Sequence, residues 1–131
     1  MNKTVMIVED DFLNMKLFND LLKIRGYNTI QQTDGLGAYD AVHKHRPDLI
    51  LMDMHLPGRS GLDIIAALKS DADMRHIPVI AVTAYAHQEQ ERLCLDRGCD
   101  GYMVKPISVA SFYDTVSGFI QRIKPTLRVV L

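Results

Sequence analysis

The 131-residue chain has almost no net charge, few cysteines and no long apolar run. A net charge of −1 gives no basic field that would attract nucleic acid or an anionic membrane surface. The longest stretch without a charged residue, Ile77 to Ala86, is about half of what a bilayer crossing needs. Strand-like sequence begins within about four residues of the N-terminus, which argues against a secretory signal peptide. We therefore expect no nucleic-acid partner and no membrane insertion.

The two cysteines, Cys94 and Cys99, are too few for a disulfide framework and are not spaced as a CxxC site. We interpret them as reduced packing residues, which predicts a cytoplasmic protein. The apolar fraction of 47% and the charged fraction of 24% are typical of a globular protein. The length predicts one domain, residues 1–124, followed by a short tail at 125–131 whose apolar character has no evident role.

Short apolar runs alternate with helix-length segments five times. The predicted strands are Thr4–Val8, Asn28–Gln31, Leu49–Met52, Val79–Val82 and Gly101–Val104. The predicted helices are Phe12–Arg25, Gly35–His45, Gly61–Ser70, His87–Arg97 and Ser108–Ile123. Runs rich in Val and Ile, each followed by a helix, are typical of a parallel sheet covered on both faces. The pattern predicts an α/β fold, a doubly wound (βα)5 domain with the flavodoxin-like strand order 2-1-3-4-5.

Several residues predict where the helices begin and end. Asp11, Asp34 and Ser108 stand at positions suited to N-caps. Gly26 and Gly98 stand where a left-handed C-terminal cap is expected.

Charged and polar side chains follow the predicted strands. The strand order places strands 1 and 3 side by side, and ligands of such folds bind beyond the carboxyl ends of the strands. Glu9 and Asp10 follow strand 1, Asp53 ends strand 3, Thr83 ends strand 4 and Lys105 follows strand 5. We expect these five side chains to converge on one edge of the sheet.

An ionised carboxylate at the end of a strand buried on both faces is costly unless its charge is used. Three carboxylates brought together repel one another unless a hard cation such as Mg²⁺ lies between them. The set has the parts for phosphoryl transfer to Asp53, with Lys105 as a point charge for a phosphate oxygen and Thr83 as a hydroxyl donor.

Four motifs carry a resemblance to a known family: Val8-Glu9-Asp10-Asp11, Leu51 to Gly58, Val82-Thr83-Ala84 and Lys105-Pro106. The chain resembles the receiver domain of two-component response regulators from Lys3 to about Ile123. The resemblance is narrower still to single-domain receivers that regulate cell division, which implies a role in the cell cycle.

The resemblance implies that a histidine kinase or a phosphotransfer protein phosphorylates Asp53, with Mg²⁺, or alternatively Mn²⁺, as cofactor. Glu9, Asp10, Asp53 and the backbone carbonyl of His55 would hold the metal, while Thr83 and Lys105 would sense the phosphate. Tyr102 would act as an aromatic switch, and the Lys105–Pro106 peptide would be cis. The domain would assist its own phosphorylation without being an enzyme, and it would signal through contact with a downstream protein target.

Two features depart from the commonest pattern of the family. Glu9 replaces the more usual aspartate, and its extra methylene changes how it reaches the metal. His55 and Tyr85 would flank the path of a hydrolytic water, so we predict that these bulky residues tune loss of the phosphate.

The first predicted helix carries more apolar residues than one core needs. Its two stripes, on roughly opposite sides, are Leu13, Leu17, Leu21 and Ile24, and Met15, Phe18 and Leu22. Neighbouring helices could cover the surplus; alternatively, it is a docking surface for helices of a partner. The prediction assigns the partner face to Leu13, Met15, Phe18 and Leu22.

Three alternative interpretations of the function stay open at this point. A phosphatase of the haloacid-dehalogenase type also uses a strand-end aspartate, but it needs a second aspartate where this chain has His55. A flavin or dinucleotide binder needs a glycine-rich loop after the first strand, where this chain has Glu9, Asp10 and Asp11. A degenerate receiver that binds partners without phosphate is disfavoured by the complete set of acids together with Thr83 and Lys105.

Overall fold

The computed structural model describes residues 2–58, 60–84 and 88–121. Its elements alternate along the chain as β1 Thr4–Val8, α1 Phe12–Ile24, β2 Asn28–Gln32, α2 Ala38–His45, β3 Leu49–Asp53, α3 Gly61–Ser70, β4 Val79–Thr83, α4 Gln88–Asp96, β5 Gly101–Val104 and α5 Val109–Gln121. The strands form one sheet in the order β2-β1-β3-β4-β5, and the four neighbouring pairs are parallel. The predicted fold class and strand order are therefore confirmed.

The boundaries differ from the prediction by a few residues. Strands β3 and β4 include Asp53 and Thr83, so both of these predicted site residues belong to the ends of strands rather than to loops. Helix α2 begins at Ala38 instead of Gly35, because Asp34 Oδ1 accepts the Gly37 N–H at 3.0 Å in a turn that precedes the helix. Helix α4 begins at Gln88. The predicted start at His87, the predicted end of α5 and the tail lie outside the described residues.

Helix ends follow the predicted chemistry at four positions. The Asp11 side chain accepts the Asn14 N–H at 3.1 Å at the start of α1, and Ser108 Oγ accepts the Ser111 N–H at 3.1 Å before α5. After α1 and α4, Gly26 and Gly98 have φ of 84° and 102°. These are left-handed conformations that glycine adopts without the steric penalty of a Cβ.

The core consists of two layers, one on each face of the sheet. Alternate strand residues such as Val5, Ile7, Leu49 and Leu51 pack against α1 and α5. The intervening residues pack on the other face against α2, α3 and α4, in the cluster that contains Met6, Val8, Ile50, Met52, Val42, Ile64, Leu68 and Cys94. Burial of both faces explains why β1, β3 and β4 are continuous apolar runs.

The predicted partner face on α1 is wrong for three of its four residues. Met15, Phe18 and Leu22 are buried in the core, where the Phe18 ring stacks on Phe112 with 5.3 Å between centroids. Leu13 is 73% exposed and is the one residue of that set on the surface. The error arose because both stripes are apolar, and periodicity alone does not say which of them faces the sheet.

Register brings the carboxyl ends of the central strands together. Val8 pairs with Met52 across β1 and β3, and Asp53 pairs with Val82 across β3 and β4. The residues that follow β1 and those that end β3 and β4 therefore lie at one edge of the sheet. Among the described residues, no helix is long and apolar enough to cross a membrane.

Candidate phosphoacceptor and metal site

Three carboxylates meet at the junction of β1 and β3. Glu9 and Asp53 are buried, with 1% and 4% of their surface exposed, whereas Asp10 is exposed. One carboxylate oxygen from each lies within 4.8 Å of the others. The convergence predicted for the acids is therefore present.

The pKa of Glu9 depends on its burial and on its neighbours. The pKa of the Glu9 carboxyl is raised from an ordinary 4.5 to about 7, first by burial and then by a side-chain hydrogen bond with Asp53. Lys105 and the Asp11 N–H act in the opposite direction, the latter donating to Glu9 Oε2 at 3.1 Å. A carboxyl group that retains its proton near neutral pH indicates acids crowded in a site with too little positive charge.

The ammonium group of Lys105 lies between the two buried acids. Its Nζ is 2.9 Å from Glu9 Oε1 and 3.8 Å from Asp53 Oδ1. The Lys105 N–H donates to Thr83 O at 2.7 Å, and the Lys105–Pro106 peptide is cis. The cis peptide agrees with what the resemblance implied. The position of Lys105 closer to Glu9 than to Asp53 was not predicted. Its only signal in the sequence was the glutamate at position 9.

Thr83 ends β4 beside these groups and is fully buried. Tyr102 lies on the neighbouring strand β5 and is partly buried. Burial raises the pKa of the Tyr102 hydroxyl, whereas a side-chain hydrogen bond with Thr83 lowers it, and the net shift is upward. Thr83, predicted to sense the phosphate, and Tyr102, predicted to act as the aromatic switch, are thus in direct contact.

The loop after β3 contacts Asp53 through its backbone. The His55 N–H donates to Asp53 Oδ1 at 3.1 Å, while the His55 side chain is exposed. Tyr85 lies outside the described residues, so its predicted role, like metal ligation by the His55 carbonyl, stays a prediction.

Two glycines shape this edge of the sheet, and the sequence analysis did not identify either of them. A Cβ on Gly61 would lie 2.7 Å from the backbone oxygen of Asp53, so α3 can begin this close to β3 only without a side chain. Gly58 has φ of 86°, and a Cβ there would lie 2.9 Å from Leu36 Cγ in the loop before α2. The dipeptide Pro57-Gly58 is a turn signal that could have pointed to the second of these.

The donor set fits a hard divalent cation. Carboxylate oxygens from Glu9, Asp10 and Asp53 are the ligand type that Mg²⁺ and Mn²⁺ take, and Mg²⁺ retains several waters when few protein ligands are present. A bound cation would also favour the ionised form of Glu9, against the burial and the Asp53 contact that raise its pKa. Three carboxylates do not fill the coordination sphere of such a cation, so the site can admit a further oxygen ligand.

Comparison with known proteins agrees with this geometry. Residues 5–117 match the model of the response regulator receiver domain, and the chain belongs to that family. It is 52% identical over 120 residues to the polar-differentiation response regulator DivK of Brucella anthropi, covering 92% of this chain and 98% of the relative. DivK of Brucella ovis matches at the same identity and coverage. The family match favours the receiver prediction over the phosphatase and flavin-binding alternatives.

Solved structures of similar shape include metal-bound receivers. The receiver domain of a sensor histidine kinase from Pseudomonas aeruginosa, with magnesium coordinated in its active-site cleft, is 29% identical with a TM-score of 0.85, covering 92% of this chain and 99% of that one. The Mn²⁺-bound response regulator Rcp1 is 26% identical with a TM-score of 0.77, covering 88% and 90%.

Proposed function

We propose that the chain accepts a phosphoryl group on Asp53 in a reaction that depends on a divalent cation. The observation that carries the proposal is the convergence of Glu9, Asp10 and Asp53 within 4.8 Å, with Lys105 and Thr83 at the same edge. Mg²⁺ is the proposed cofactor and Mn²⁺ its substitute, because both take oxygen ligands.

In the proposed transfer, an oxygen of Asp53 attacks the phosphorus of a phosphohistidine in line with the P–N bond. That bond breaks, the imidazole nitrogen takes up a proton, and an acyl phosphate forms on Asp53. The bound cation would neutralise charge shared between the carboxylates and the phosphoryl oxygens. Lys105 pairs with a phosphoryl oxygen after leaving Glu9, a movement that the 3.8 Å separation from Asp53 makes short.

The same residues carry the proposed switch. An acyl phosphate adds roughly 1.5 to 2 negative charges at a buried position, which attracts the hydroxyl of Thr83. Thr83 is hydrogen-bonded to Tyr102, so displacement of Thr83 changes the position of the Tyr102 ring on β5. The surface formed by α4, β5 and α5 would then differ between the two states, and a downstream protein target would select one of them.

The proposed phosphodonor is a histidine kinase or a phosphotransfer protein. Phe12, Leu13 and Leu17 are exposed at the start of α1, close to the acids, and such apolar surface suits a partner's helices. The buried free thiols Cys94 and Cys99 are consistent with the proposed cytoplasmic location. Because the curated relatives are polar-differentiation regulators, we extend the proposal to control of cell division.

His55 and Tyr85 complete the proposal as residues that tune loss of the phosphate. Replacing His55 with Asn and Tyr85 with Ala should change the dephosphorylation half-life, because each substitution alters access of water to the acyl phosphate. Equal half-lives for the parent and both variants would contradict this role.

The central experiment is incubation with acetyl phosphate, with and without Mg²⁺, followed by intact-mass measurement. We expect the mass of one phosphoryl group, which is absent after chelation and in Asp53→Asn. Asp10→Asn should reduce the rate, and Asp63→Asn, which changes a surface acid on α3, should leave it unchanged. Phosphorylation that persists in Asp53→Asn or in the presence of a chelator would refute the mechanism.

A further inference from the structure

A cavity lies at the edge of the sheet where the strands begin, opposite the edge that carries Glu9, Asp10 and Asp53. Its volume is about 430 Å³, and it is lined by the connection between α2 and β3, the residues that precede β4 and β5, and the ring of Phe119 on α5. Pockets for small molecules typically span about 300 to 1,000 Å³. None of the phosphoacceptor residues lines this cavity, so it is a separate site.

Arg46 lines the cavity in a backbone conformation that favours glycine. It ends α2 with φ of 48° and ψ of 60°, whereas α1 and α4 have glycine at their left-handed ends, namely Gly26 and Gly98. A left-handed conformation costs a residue with a Cβ about 1–2 kcal/mol. Because glycine would fit this backbone better, the arginine is explained by its side chain rather than by the fold.

The acids that line the cavity are already engaged with protein donors. Asp48 Oδ2 accepts the Thr4 N–H at 2.8 Å. Asp100 Oδ2 accepts the Val79 N–H at 2.9 Å and is paired with Lys69 Nζ at 2.8 Å.

The cation of the cavity has spare donors. Arg46 donates through Nε to His43 O at 3.1 Å, and among residues 2–58, 60–84 and 88–121 its guanidinium has no ion-pair partner. The guanidinium is therefore the charged group of the cavity that is best placed to receive a ligand, and a guanidinium matches a carboxylate in two parallel hydrogen bonds.

Apart from the exposed His76, the rest of the lining is apolar and partly flat. Pro47 and Ile77 are buried, Pro78 is half-buried, and Phe119 supplies an aromatic ring. That ring lies directly on β5, because a Cβ on Gly101 would be 2.7 Å from two of its atoms. Rigid proline and aromatic surfaces favour a planar apolar body over a flexible polar one.

We propose that this cavity binds a small aromatic carboxylate, with the carboxylate paired to Arg46 and the ring packed among Pro47, Pro78 and Phe119. The inference is independent of phosphorylation at Asp53. It depends only on the cavity, its single unpaired guanidinium and its apolar walls.

The test uses 2-naphthoate as the probe and its neutral amide, 2-naphthamide, as the matched ligand, with the full chain in isothermal titration calorimetry. We expect saturable one-to-one binding of the carboxylate that is about tenfold tighter than binding of the amide, or about 1.4 kcal/mol. Two-dimensional NMR shifts should map to residues around Asp48, Ile77 and Asp100.

Two variants decide the role of the arginine. Arg46→Gly suits the backbone and should fold normally, yet it should weaken naphthoate binding about tenfold. Arg75→Gln removes a nearby surface cation that does not line the cavity, and binding should be unchanged. Absence of saturable binding, equal affinity for the amide, or unchanged affinity in Arg46→Gly would each overturn the proposal.

Discussion

Lys105 Nζ lies 2.9 Å from Glu9 Oε1 but 3.8 Å from Asp53 Oδ1, so the cation of the site is held by a proposed metal ligand rather than by the proposed phosphoacceptor. Glutamate reaches farther than aspartate by one methylene group, which allows this contact. A divalent cation bound as proposed would therefore compete with Lys105 for the same carboxylate, and the first prediction depends on this competition.

Lys105→Met should increase affinity for Mg²⁺ while slowing phosphorylation. Removing the ammonium frees Glu9 for the metal and reduces the positive charge that repels it, so we expect roughly three- to tenfold tighter binding. Calorimetric titration with Mg²⁺ measures this, and Lys23→Met on exposed α1 surface is the control with the same change in charge. Unaltered affinity in Lys105→Met would contradict the competition.

Glu9→Gln should stabilise the metal-free protein at alkaline pH. The folded pKa of Glu9 is raised to about 7 from 4.5, so the folded state retains a proton that the unfolded state releases. Stability therefore falls as pH rises from about 4.5 to about 7, and the penalty is complete above that range. Removing the acid should recover on the order of 1–3 kcal/mol at pH 8.

Urea unfolding in the presence of a chelator at pH 5 and at pH 8 measures the difference. Asp10→Asn serves as the control, because Asp10 is exposed and its replacement should shift the midpoint much less. If Glu9→Gln proved no more stable than the parent at pH 8, the assignment of a raised pKa to Glu9, buried beside Asp53, would be wrong.

Tyr39→Phe should make the protein more sensitive to acid. The pKa of Asp71 is lowered to about 2, chiefly by the hydrogen bond from the Tyr39 hydroxyl, then by the Asp73 N–H and by His43. A carboxyl group with a depressed pKa contributes stability above its unfolded pKa, about 3.8, and that contribution is lost as pH falls toward about 2. Circular dichroism during acid titration should show unfolding at a higher pH in the variant. Tyr27→Phe is the control, and an identical acid midpoint for Tyr39→Phe and parent would refute the assignment.

Gly61→Ala should damage the site, whereas Gly118→Ala should not. A Cβ at position 61 would lie 2.7 Å from the Asp53 backbone oxygen and 3.1 Å from Met54 Cα, and backbone atoms cannot yield as a flexible side chain can. We expect a loss of about 1–3 kcal/mol and slower phosphorylation of a displaced Asp53. At position 118, within α5, nothing lies within 4 Å of the added methyl, and alanine should stabilise by about 0.5–1 kcal/mol. Urea unfolding and intact-mass phosphorylation rates measure both effects, and a fully active, stable Gly61→Ala would contradict the close packing.

Local patterns predicted the elements well because their causes are local. The apolar runs ending at Val8 and Met52, the cap at Asp11 and the glycine at position 98 each specify structure through their own chemistry. The prediction for α2 began three residues early because Asp34 caps a turn instead of the helix. Sequence spacing does not distinguish these two uses of one carboxylate.

The sequence alone determined the order of the elements and the edge at which Glu9, Asp10, Asp53, Thr83 and Lys105 meet, since parallel strands bring their carboxyl ends to one edge. Tertiary structure decided which stripe of α1 is buried, which acid holds Lys105 and how closely α3 approaches Asp53. These outcomes depend on the distances at which residues far apart in the chain approach one another. Such distances are set by packing of the whole domain, and no local pattern records them.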